Sequence, residues 1–210
     1  MTALDWGRSP RLALREFAMH DHDAVLQMHR DPRMREHLID DYPLHQSTVV
    51  KVFLERVARV YRRHEGLGIW HATLLGPKPA FAGWFNLMPM AQRPGEVEIG
   101  SRLSPQFWGA GLALEGGETL LDHAVDIGLR HVWGVCHFGN RRALAVLAAL
   151  GFESMGAMPY DGGFASHHRI DLNEWRTLRA SPRATPLRSA QRPAAPRVRS
   201  PLAQIEEEHA

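Results

Sequence analysis

From Glu96 to Glu115 the chain reads Glu-Val-Glu-Ile-Gly-Ser-Arg-Leu-Ser-Pro-Gln-Phe-Trp-Gly-Ala-Gly-Leu-Ala-Leu-Glu. A strand-like run passes into Gly109-Ala110-Gly111, and helical spacing begins at Leu112. Such a junction binds anions. The N–H groups of a helix's first turn have no intrahelical acceptor, and the helix dipole favours negative charge there. Glycine lets the backbone approach a ligand closely. The implied ligand carries phosphate. Two common phosphate loops are excluded by the residues present. A Walker loop needs Gly-Lys-Ser/Thr, and the lysines, Lys51 and Lys78, lie elsewhere. A dinucleotide fingerprint needs a third glycine three residues after Gly111, where Leu114 stands.

Other reactive side chains are less informative. Of the thirteen histidines, His20-Asp21-His22-Asp23 and His167-His168 are the densest groups, and neither has a recognised metal-ligand spacing. No metal is expected; His137 and His168 remain candidates for lining a ligand pocket. The one cysteine, Cys136, excludes an internal disulfide and any multi-cysteine zinc site. A buried strand cysteine is the expected reading. Asn140 stands where it could cap a helix.

The elements that must position these residues follow from periodicity. Leu12, Leu14 and Phe17 mark a first strand, and a helix starts near Asp21, with Ala24, Val25 and Met28 on one face. Asp31-Pro32 ends it, since the residue before proline is pushed out of the helical region. A second helix starts near Ser47 and keeps helical spacing to Tyr61. Strands are expected over 69–75, 80–87 and 96–103, then a helix with Leu112, Leu120, Leu121 and Ala124 on its inner face. A strand over 131–137, a helix over 141–150 closed by Gly151, and strands over 152–158 and 165–172 complete the order. This is an α/β arrangement of the α+β type, a mixed sheet with helices packed on it, and not a doubly wound nucleotide fold. Gly116-Gly117 inside the third helix is unusual, because each glycine costs about 1 kcal/mol relative to alanine. Either tight packing or a looser helix is expected there.

The chain has 210 residues and a formal net charge of +2. The charge is uneven: residues 1–175 carry −2, and 176–210 carry +4 from seven arginines and three glutamates. The later segment has no aromatic residue and repeated prolines (Pro182, Pro186, Pro193, Pro196, Pro201), so disorder is expected from 176 onward. One domain is thus expected over 1–175 and a Pro/Arg-rich tail over 176–210. The tail lacks the interleaved aromatics that stack on bases, so nucleic acid is not an expected partner. The N-terminus lacks the pattern of a signal peptide, and no apolar run approaches the ~18 residues of a membrane helix. A soluble, cytoplasmic protein with no membrane partner, monomer or homodimer, is expected.

With these elements in order, Trp108-Gly109-Ala110-Gly111-Leu112-Ala113-Leu114-Glu115 resembles the acetyl-CoA loop of the GNAT N-acetyltransferase superfamily. The tryptophan resembles the RimJ/RimL branch, similar to the acetyltransferases of ribosomal-protein N-termini. Arg11-Leu12 with Leu14-Arg15, then Asp23, Glu98-Ile99-Gly100, and Asn140 followed by Leu150-Gly151-Phe152 are similar to further signatures of that branch. The similarity runs over residues 11–172.

The resemblance implies a GNAT fold, with a mixed, mostly antiparallel sheet flanked by helices, and transfer of acetyl from acetyl-CoA to a primary amine by direct attack. It implies that Gly109, Ala110, Gly111, Leu112 and Ala113 hold the pyrophosphate, with Trp108 beside them. It also implies that the strand near Leu103 bonds the pantetheine and the acetyl carbonyl, and that Asn140 bonds the pantetheine from the other side. Glu98 is the implied base, with Glu96 as the second candidate. The acceptor is a small amine or a protein N-terminus, shaped by the segments around His37–His45 and Tyr160–His168.

Two departures stand out. The branch commonly has serine three residues after the asparagine, where this chain has Ala143, and the helix contains no tyrosine. Cys136, Tyr160 or solvent is left to protonate the leaving thiolate. The departure also admits a different class: a catalytically weak domain that binds acyl-CoA as a sensor or scaffold.

Overall fold

The computed structural model describes residues 5–38, 42–91, 93–160 and 163–180. Eight strands form one sheet: β1 (Asp5–Arg8), β2 (Leu12–Glu16), β3 (Gly68–Leu74), β4 (Ala80–Pro89), β5 (Val97–Leu103), β6 (His131–Cys136), β7 (Glu153–Tyr160) and β8 (Gly163–Asp171). Their order across the sheet is β1-β2-β3-β4-β5-β6-β8-β7. Every adjacent pair is antiparallel except β5–β6, which is parallel. The helices are α1 (His22–Arg30), α2 (Ser47–Arg63), α3 (Leu112–Asp126), α4 (Arg141–Ala149) and α5 (Leu172–Ala180).

Alternation along the strands divides the core in two. Leu12, Leu14, Phe85, Leu87, Ile99, Leu103 and Ile170 pack with Leu112, Leu120, Leu121 and Ala124 of α3 and Leu147 of α4. On the opposite face Trp84 packs with Val25 and Met28 of α1 and with Val50, Phe53, Leu54 and Val57 of α2. Each amphipathic helix therefore covers one side of the sheet, as its apolar stripe requires.

The mixed sheet with flanking helices matches the expected fold class. Two local features differ from the sequence reading, and one open choice is decided. A strand, β1, precedes the first expected one and pairs with β2; its four residues carry no alternating apolar pattern that would announce it. The expected boundary after Trp175 falls inside α5, where Arg179 donates to Asp122 at 2.8 Å and anchors the helix to α3. The remainder of the expected tail, 181–210, lies outside the described residues. Gly116 and Gly117 are explained by packing. A Cβ on Gly116 would sit 2.1 Å from the Phe85 ring, and one on Gly117 would sit 2.8 Å from Leu150.

Candidate active site

β5 and β6 pair at only two positions, Glu98 with Trp133 and Ile99 with Gly134. Beyond them the two strands part. The backbone N–H of Ser104 donates to the Ala82 carbonyl at 2.8 Å. Since successive residues turn their backbone groups to opposite neighbours, Gly100 and Arg102 bond β4. Ser101 and Leu103 turn theirs toward the opening. An opened parallel pair thus leaves a strand edge whose N–H and C=O groups can take an extended amide-bearing ligand.

The glycine loop lies beyond the end of β5. Gly109 and Gly111 both have φ +78°, a left-handed conformation that L side chains rarely adopt. Gly111 is the N-cap of α3 and supplies no side-chain cap, so the first-turn N–H groups of Gly111, Leu112, Ala113 and Leu114 lack intrahelical acceptors. A Cβ on Gly109 would meet nothing within 4 Å, so space lies open above the loop. These groups fit a phosphate. Arg11 fixes the loop, its guanidinium donating to the Ala110 carbonyl at 2.8 Å and to Glu115 at 2.6 Å. Ser9 donates to the same Glu115 carboxylate at 2.6 Å.

Trp108 spans the opening. Its indole Nε1 donates to the Leu103 carbonyl at 2.7 Å, and the Arg142 guanidinium from the first turn of α4 lies 4.9 Å from its ring centroid. Asn140 is the N-cap of α4, its Oδ1 accepting from the Ala143 N–H at 3.1 Å. The cap role weighed from sequence is therefore present in the geometry.

Glu98 stands where β5 and β6 part, on the sheet face that carries Arg102 and Trp84. Burial pushes its carboxyl up from the ordinary 4.5 to about 7, against the opposing effect of a hydrogen bond from the Tyr160 hydroxyl at 3.2 Å. A carboxyl poised near neutrality suits a proton acceptor. Glu96, the second candidate, lies before β5 begins and is engaged elsewhere, accepting from His131 Nε2 at 2.5 Å and Trp133 Nε1 at 2.9 Å. Its place is in a structural network. Gly100, next but one to Glu98, leaves room for the Asn86 amide, which a Cβ there would meet at 2.8 Å.

The histidines separate by face. His167 packs edge-on against Tyr160 at 6.0 Å between ring centroids and against Trp133 at 6.3 Å. His168 turns to the opposite side, bonded to Ser166 at 2.9 Å, and burial lowers its pKa. His167, not His168, is thus the neighbour of Glu98's partner, a distinction that only strand register decides. His37 and His137 stack at 6.1 Å, joining the segment after α1 to the loop after β6. Cys136 is buried, which raises its thiol pKa and removes the thiolate a nucleophile needs. Tyr160–Glu98, Arg142–Trp108 and Glu96–His131 are contacts over 30 or more residues, and no local pattern encodes them.

Among the described residues, no group of three or more His, Cys, Asp or Glu side chains is arranged to hold a metal, and no helix is long and apolar enough to cross a membrane.

Comparison with known proteins bears on this geometry. The acetyltransferase (GNAT) domain family matches residues 11–153. An Aspergillus fumigatus protein named FsC-acetyl coenzyme A-N(2)-transacetylase is 28% identical over 143 residues, 63% of this chain and 58% of that protein. The chain therefore matches less than two thirds of that relative's length. Among solved structures, Mycobacterium smegmatis RimJ in complex with CoA-disulfide has a TM-score of 0.64 at 21% identity, covering 78% of this chain and 83% of that one. RimL, a ribosomal L7/L12 alpha-N-protein acetyltransferase in complex with coenzyme A, has a TM-score of 0.63 at 18% identity, covering 78% and 95%. At these identities the two structures show a shared fold.

Proposed function

The chain belongs to the GNAT acetyltransferase family, and from that membership we propose that it moves the acetyl group of acetyl-CoA to a primary amine by direct attack. One observation carries the reading: a near-neutral carboxyl, Glu98, stands where two strands part, and the parted edge leads to a helix start with unpaired N–H groups.

In this reading the N–H groups at 111–114 hold the pyrophosphate, as glycines at 109 and 111 permit. The open N–H groups of Ser101 and Leu103 bond the pantetheine and the acetyl oxygen, where negative charge grows as the amine attacks. Trp108 and Asn140 flank the same channel. Bound acetyl-CoA supplies the thioester. An alkyl amine arrives protonated, with a pKa near ~10, and Glu98 takes its proton directly or through a water. The C–N bond then forms, the C–S bond breaks, and the sulfur leaves with the electron pair while the nitrogen sheds its second proton, which reaches the thiolate through solvent. α4 offers no hydroxyl for that sulfur, with Ala143 in its first turn.

We place the chain in the RimJ/RimL-like branch on Trp108 and the ordered signatures around it. The acceptor proposed is a small amine, with a protein N-terminus as the second choice. The relative named as an N(2)-transacetylase supports a nitrogen acceptor, and RimL's title supports the second choice for that fold. A cytoplasmic location belongs to the same proposal. The test is a thermal-shift titration with acetyl-CoA, then thiol release over a panel of polyamines, amino acids, aminoglycosides and short peptides. Stabilisation with amine-dependent release is expected. Stabilisation without turnover on any amine overturns the enzyme reading in favour of an acyl-CoA sensor.

A further inference from the structure

Glu98 and Tyr160 come from strands that are not neighbours. β6 and β8 lie between β5 and β7, so the two strands are three spacings apart, roughly 14 Å across a flat sheet. Side chains standing perpendicular to a flat sheet do not span that gap. The Tyr160 hydroxyl nonetheless donates to Glu98 Oε1 at 3.2 Å. The two side chains therefore lean toward each other across β6 and β8, over a part of the sheet with two irregularities. β5 and β6 part after two paired positions, and β7 carries a bulge between Ser154 and Gly156, with Gly156 at φ +82°. The phenol ring packs edge-on against His167, which is buried and itself packs against Trp133, the residue paired with Glu98.

We propose that Tyr160 is the positioning residue for Glu98: its hydroxyl holds Oε1 and leaves Oε2 to take the amine's proton. The inference rests on reading Glu98 as the base. Tyr160 ends β7, opposite Gly163 of β8, so any shift of that hairpin on acceptor binding reaches the base through one hydrogen bond. Tyr160 thereby couples the edge of the sheet to proton transfer, a role filled by no residue of α4.

The test uses the full chain, labelled at glutamate side-chain carboxyl carbons and titrated by NMR. The Glu98 resonance is the one missing from Glu98→Gln. Its midpoint is expected close to the neutral value that burial gives it. In Tyr160→Phe, which keeps the ring and removes only the hydroxyl, the midpoint should rise by about one pH unit, because the lost bond favoured the ionised form. An unchanged midpoint in Tyr160→Phe overturns the positioning role and leaves the base reading intact. A Glu98 resonance that titrates as an ordinary carboxylate in the unsubstituted protein overturns the base reading itself.

Discussion

The indole of Trp108 and the carbonyl of Leu103 are joined by a 2.7 Å hydrogen bond across the mouth of the β5–β6 opening. Leu103 is buried, and its carbonyl faces the parted edge rather than β4, so Trp108 is the donor that satisfies it. Arg142 covers the same ring from α4. Trp108 thus ties the end of β5 to the helix on the far wall. Trp108→Phe keeps an aromatic surface for Arg142 but removes the donor. Leaving a buried acceptor unpaired costs about 1–3 kcal/mol, so calorimetry should show a melting temperature several degrees lower.

Gly109→Ala separates backbone conformation from packing. Its Cβ would meet no atom within 4 Å, yet φ is +78°. A left-handed alanine costs roughly 1–2 kcal/mol, which the fold tolerates. The N–H groups that follow would turn away from the anion. Acetyl-CoA affinity should fall about tenfold or more, the equivalent of one charge-assisted bond. Titration calorimetry on the folded variant measures it.

Gly116→Ala sets helix propensity against packing. Alanine gains about 1 kcal/mol of intrinsic helix stability. The new methyl group would lie 2.1 Å from the Phe85 ring, which is fully buried in the sheet–α3 core. Overpacking of that kind costs typically about 1–3 kcal/mol or more. Packing wins, and chemical denaturation should show Gly116→Ala less stable than the unsubstituted protein.

The buried carboxyl of Glu98 also affects stability. Its ionised form is disfavoured in the folded state, with a pKa near 7 against an ordinary 4.5. Below 4.5 the group is protonated in both states and carries no penalty. As pH rises toward 7 the unfolded chain releases the proton first, and native stability falls by roughly 3 kcal/mol across that window. Glu98→Gln removes the effect. Its stability relative to the unsubstituted protein should rise between pH 4.5 and 7 and stay level above, as read from denaturation midpoints.

Among the described residues the sequence showed four of the five helices, seven of the eight strands and the glycine loop, because local periodicity and two glycines carry that information. Gly109 and Gly111 were legible since a left-handed strand-to-helix junction needs glycine. β1 was not, because four residues at a sheet edge show no period. α5 was hidden by the low aromatic content after Trp175, although Arg179 holds it against Asp122. At the candidate site, Glu98 was visible as a strand carboxylate, but its separation from Glu96 was not. Glu96 is claimed by His131 and Trp133, partners 35 and 37 residues away. Tyr160 reaches Glu98 across two intervening strands, and His167 rather than His168 faces it by register alone.

The most direct test is the pH dependence of acetyl-CoA thiol release, measured with a saturating amine for the unsubstituted protein and for Glu98→Gln. Amine-dependent release should rise through about pH 7. In Glu98→Gln the rate should fall by roughly 10²–10⁴, with acetyl-CoA affinity unchanged. A variant that keeps the full rate and the same pH profile would contradict Glu98 as the base.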